Sequence, residues 1–95
     1  MSEKTEIFLA PAEKTVLNPF IKNLRIILAN YDTLSFADFQ LLLSNTATPL
    51  SYTRTNMILS ILERYGAIQQ IGKERPKKYL IIKQKLEEII KAVIS

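Results

Sequence analysis

Residues 51–82, SYTRTNMILSILERYGAIQQIGKERPKKYLII, change their hydrophobic period halfway along. Up to Tyr65 the stripe Thr55, Ile58, Leu59, Leu62 and Tyr65 follows the spacing of a helix with one buried face. The helix starts at Thr48, with Pro49 in its first position, or at Ser51, and Gly66 is suited to close it in the left-handed conformation. Its opposite face carries Thr53, Asn56, Met57, Ser60 and Arg64, with Glu63 only at the margin. Beyond Gly66, Ala67–Ile71 and Lys77–Ile82 are short β-prone runs around Gly72-Lys73-Glu74-Arg75-Pro76, which has the content of a hairpin loop.

Upstream, Thr33-Leu34-Ser35-Phe36-Ala37-Asp38-Phe39 is a helix start. Ser35 and Asp38 can form a reciprocal capping box, and Leu34 and Phe39 a hydrophobic staple. Phe39, Leu42 and Leu43 supply the buried face of that helix, which ends near Ser44-Asn45. Before it, Asn18 and Pro19 predict another start, with Phe20, Leu24, Ile27 and Leu28 inside and Lys22, Asn23 and Arg25 elsewhere on the wheel. Residues 1–14 read as a loose or partner-docking arm, leaving 15–95 as a single domain. At the other end Leu86, Ile89, Ile90 and Val93 trace a final helix, with Glu87, Glu88 and Lys91 outside.

Composition narrows the chemistry. With 95 residues there is one hydrophobic core, and the 47% apolar and 23% charged content is that of a globular fold. No apolar run is long enough to span a membrane, which with the lack of a secretory signal predicts a cytoplasmic protein. Cys and His are absent and Gly occurs only twice. Thiolate chemistry and thiolate metal sites, the commonest metal ligand, the commonest general base and a glycine-rich phosphate loop are therefore excluded. No enzyme activity, metal or cofactor is expected. Glu87 and Glu88, as helix neighbours, diverge and cannot face each other as an acid–base pair.

The net charge of +4 is unevenly placed. Residues 51–85 hold eight Lys or Arg against two Glu, while the rest of the chain holds five bases against seven acids. A positive half suits a polyanionic partner, nucleic acid before membrane surface.

The element order, helix-helix-helix-strand-strand-helix, is mostly α with a small β-hairpin and matches a winged helix-turn-helix domain. Thr53 to Ile68 resembles the recognition helix and first wing strand of winged-helix regulators: a polar start, Leu59, Leu62, Gly66 and the apolar pair Ala67-Ile68. Gly72-Lys73-Glu74-Arg75-Pro76-Lys77-Lys78-Tyr79 resembles the basic wing of PadR-like regulators, and the similarity covers about residues 18–95. The resemblance implies a helix in the major groove of double-stranded DNA, contacting it through Ser51, Tyr52, Thr53, Arg54, Asn56 and Met57. Arg54 can pair with guanine, Asn56 with adenine, and Met57 can touch a thymine methyl. Lys73, Arg75, Lys77 and Lys78 of the wing would meet phosphate or enter the minor groove.

A homodimer is expected, because the last helix looks too apolar for a monomer and two half-sites double the contacts. Its interface would use Ile7, Phe8 and Leu9 of the arm with Leu86, Ile89, Ile90 and Val93. The alternative is that the last helix folds back over the core. The function expected is transcriptional regulation. Two other readings stay open: a plasmid or viral DNA segregation or architectural protein that spreads along DNA, and a winged-helix module that binds a protein partner.

Overall fold

A computed structural model describes residues 7–72 and 77–95. Helix α1 spans Pro11–Leu17 and runs into a 3-10 turn at Asn18–Phe20, after which α2 covers Ile21–Asn30. Strand β1 (Thr33–Ser35) leads directly into α3 (Phe36–Leu42), followed by α4 (Tyr52–Arg64). Strands β2 (Ile68–Ile71) and β3 (Lys78–Ile81) precede α5 (Lys83–Ile94). The architecture is mostly helical with a small three-stranded antiparallel sheet.

The start of the chain differs from the expectation. Pro11, within the expected arm, occupies the first turn of α1, where its missing N–H is no loss. The boundary at residue 14 thus falls inside a helix, and Leu9, Glu13 and Leu17 are buried, so residues 7–14 are part of the packed unit. Asn18 does not cap a helix with its side chain; it opens the 3-10 turn. Pro19 has no N–H for the α-helical ladder, so the chain tightens there, with the Ile21 N–H donating to the Asn18 carbonyl.

Asn23, placed outside by the helical wheel, is buried. Its Nδ2 donates to the Leu42 carbonyl at 2.8 Å and to Asn45 Oδ1 at 3.2 Å, which ties α2 to the open end of α3. The α3–α4 link is pinned as well. The Leu50 N–H donates to the Gln40 carbonyl at 2.9 Å, and Gln40 Nε2 donates back to the Leu50 carbonyl at 2.9 Å.

The capping box forms at α3, where the Asp38 N–H donates to Ser35 Oγ at 3.1 Å and the Ser35 N–H to Asp38 Oδ2 at 3.2 Å. The same Ser35 also belongs to β1, which sequence periodicity did not reveal. Sheet order is β1-β3-β2, with Leu34 opposite Tyr79 and Gln70 on Tyr79's other side. Tyr79 and Ile81 face the core and Lys78 faces out, the alternation a half-buried strand requires. Gly66 closes α4 with φ of 79°. The stripe of α4 is buried as read, except that Tyr65 is only half-buried and Ile61 joins it.

The final helix folds back. Leu86, Ile89, Ile90 and Val93 of α5 are buried in the same core as Leu24 and Ile27 of α2 and Leu9 and Leu17. This corrects the expected dimer interface: Leu9 and the four α5 residues are taken up inside one chain, and Ile7 packs partly against that core. Of the seven residues only Phe8, 81% exposed, stands well out. The physical reason is that α2 and α1 offer α5 enough apolar surface to cover its stripe.

Candidate nucleic-acid interface

Helix α4 is capped by Ser51, whose Oγ accepts the Arg54 N–H at 3.2 Å, so the first turn is held without a carboxylate. Burying Thr55, Ile58, Leu59 and Leu62 turns Tyr52, Thr53, Asn56 and Met57 outward. All six residues expected on this helix, Ser51, Tyr52, Thr53, Arg54, Asn56 and Met57, are exposed on its first two turns. Arg54 and Met57 also line a groove of about 220 Å³ with Thr15, Val16, Pro19, Phe20 and Ile58. Arg54 therefore borders a largely apolar groove while the residue as a whole stays open to solvent.

Lys77 and Lys78 are exposed at the base of the hairpin. Lys73 and Arg75, also expected to contact DNA, lie outside the described residues, as does the rest of the loop tip after Gly72. The hairpin base and α4 are joined through one residue that sequence reading missed, Phe36. Its N–H donates to the Lys77 carbonyl at 3.1 Å, and its ring lies 5.1 Å from that of Tyr52 at an interplanar angle of 42°. Phe36 was legible as a helix start but nothing local pairs it with Tyr52, which is brought to it by the α3–α4 link. Behind this pair, Tyr79 packs edge-on against Phe39 at 5.8 Å. Burial raises the Tyr79 hydroxyl above its ordinary range, and Glu63 and Tyr52 add to the shift. The aromatic residue of β3 is thus a core residue beside the exposed Lys78.

Arg64, Lys83, Lys85 and Lys91 lie within 4 Å of Glu13, Asp32, Glu88 and Glu87 respectively. Among the described residues Arg54, Lys77 and Lys78 form no such pair. The nearest carboxylate in sequence to Phe36 is Asp38, which accepts the Ser35 N–H. The paired cations thus sit on α5 and the far end of α4, and the cations without a pair among the described residues lie at the start of α4, on the hairpin base, and on α1 and α2 at Lys14, Lys22 and Arg25.

Arg64, read on the open face of α4, instead reaches back to the N-terminal helix. Its Nη1 donates to Glu13 Oε2 at 2.6 Å, and the Tyr65 hydroxyl donates to Glu13 Oε1 at 2.5 Å. The Ala10 N–H donates to the same Oε1 at 2.9 Å. These bonds, Tyr65 first and Ala10 next, hold the Glu13 carboxyl below its ordinary range against the opposing effect of burial, with Arg64 adding to them. The same contact raises the Tyr65 hydroxyl.

Among the described residues no helix is long and apolar enough to cross a membrane. Comparison of the chain with family models, curated proteins and solved structures finds no match.

Proposed function

We propose that this chain is a non-enzymatic, double-stranded DNA-binding protein of the winged helix-turn-helix type, acting in the cytoplasm as a transcriptional regulator. One observation carries the reading. The open, carboxylate-free start of α4 is joined through Phe36 to Lys77 and Lys78, which form no pair among the described residues. A helix start and a basic hairpin held in one piece suit a major groove and its flanking phosphate. The element order and the β1-β3-β2 sheet support the winged-helix assignment, with α4 as recognition helix and the β2–β3 hairpin as wing. Asn56 and Arg54 are the base readers, and Ser51 and Thr53 suit phosphate oxygens. Two copies on neighbouring half-sites remain part of the proposal, with a contact made outside the buried face of α5.

The test is fluorescence anisotropy with random duplex and with DNA from upstream of the chain's own gene, over a salt series. Binding should weaken steeply with salt and favour the upstream fragment. Replacing Lys77 and Lys78 by Ala should lower the salt slope by about one unit for each phosphate that the variant no longer neutralises. Equal affinity for both DNAs would favour the spreading, segregation or architectural role over a regulator. No binding at low salt would overturn the proposal and direct attention to protein partners.

A further inference from the structure

Tyr52 is the first residue of α4 and remains 64% exposed, a large apolar ring standing at the proposed DNA face. Free side chains at a helix start sample several rotamers, but this one leans on the Phe36 ring, 5.1 Å away at 42°. Phe36 is itself fixed, by its backbone bond to Lys77 and by its place directly after the capping residue Ser35. The ring is therefore oriented before any partner arrives, and an oriented ring loses less freedom on binding.

Four residues further along α4 lies Asn56, also exposed, and residues four apart share one helix face. That face then presents an apolar ring and an amide side by side. In the major groove an A·T pair displays an acceptor and a donor on adenine, then an acceptor and a 5-methyl group on thymine. Asn56 matches the adenine edge, and the ring of Tyr52 matches the methyl group. No other base pair offers a methyl group there.

The geometry points to Tyr52 as a specificity-determining reader of the thymine 5-methyl group, with Phe36 as the positioning residue that aims its ring. The inference rests on the DNA-binding reading above and adds to it what is read. Phosphate contact by the Tyr52 hydroxyl would predict the opposite pattern of substitutions.

The experiment compares binding to alternating duplexes of dA with dT and of dA with dU, which differ by the methyl group. The wild-type chain should prefer the thymine duplex by about fourfold, the worth of one buried methyl-sized group. Tyr52→Phe should keep that ratio, since the ring is retained, and Tyr52→Ala should bring it to one with the salt slope unchanged. Met57 is the other apolar side chain of this face, and a ratio brought to one by Met57→Ala while Tyr52→Ala leaves it intact would overturn the inference. Phe36→Leu should lower the ratio while far-UV circular dichroism shows the fold retained, and an unaltered ratio there would overturn the positioning role. Equal wild-type affinity for the two duplexes, or a preference that survives Tyr52→Ala, would overturn the inference while leaving DNA binding intact. Binding to neither duplex would instead overturn the functional reading on which it rests.

Discussion

Glu13 shows how much one side chain can organise. It receives three donors, from residues three, 51 and 52 positions away, and its carboxylate is nearly buried beneath them. Because the folded state holds this carboxyl below its ordinary range, folding favours the ionised form more than the unfolded chain does. The resulting stability is complete at neutral pH, declines as the pH enters the ordinary carboxylate range, and is gone below the folded value. Glu13→Gln should therefore lower the thermal midpoint at pH 7 by an amount corresponding to about 1–2 kcal/mol. The variant's midpoint should also vary less between pH 7 and pH 3 than that of the wild type; parallel curves would show that Glu13 does not carry the acid sensitivity. At the opposite end of α4, Asn56→Ala is expected to reduce discrimination between DNA sites more than overall affinity, because base contacts carry specificity. Equal weakening on specific and random duplex would leave Asn56 as a solvated surface residue.

At the scale of elements, the starts of α3 and α4 were legible because their chemistry is local. Ser35 and Asp38 lie three residues apart, as do Ser51 and Arg54; the first cap forms as read, and of the two starts the sequence allowed for α4, Thr48 or Ser51, Ser51 is the one used. Ser35→Ala should cost about 1 kcal/mol in urea unfolding through removal of the cap. It should not disturb the backbone pairing of β1 with β3; disappearance of the sheet signal in hydrogen exchange would contradict that separation of roles. What the sequence concealed depends on distant partners. A three-residue strand has no period of its own, and Thr33–Ser35 becomes one only because Lys78–Leu80 lies alongside. Pro11 carries the same local signal whether it ends a segment or opens a helix, and the choice is made by Glu13 and Leu17 finding α4 and the core. Asn23 looks like a surface residue until Leu42 brings an unsatisfied carbonyl to it. The candidate site shows the same division: its α4 residues followed from the buried stripe, whereas the Phe36–Tyr52 contact depends on how two helices meet.

For the molecule as a whole, the position of α5 matters most. Its apolar stripe looked excessive for a monomer because the sequence does not show that α1 and α2 together form a surface of matching size. With Ile89 fully buried, Ile89→Ala should destabilise the single chain by about 2–5 kcal/mol. The wild-type unfolding midpoint should be the same at low and high protein concentration, as expected when this burial is intramolecular. A midpoint that climbs with concentration would show that a second copy adds to the stability of the free chain.

The sheet's strand order has a consequence for synthesis on the ribosome. Its middle strand, β3, is the last of the three to be translated. A nascent chain that has just emitted α4 already possesses its capping groups and its helical periodicity, but neither β1 nor β2 has anything to pair with. Both stay unzipped until Lys78–Ile81 clears the exit tunnel, and one short insertion then completes two ladders together. The bond that ties Phe36 to Lys77, and with it α3 to the hairpin, can form only at that moment. A chain stalled before residue 77 would hold the α3–α4 link but no sheet and no bond from Phe36 to the hairpin.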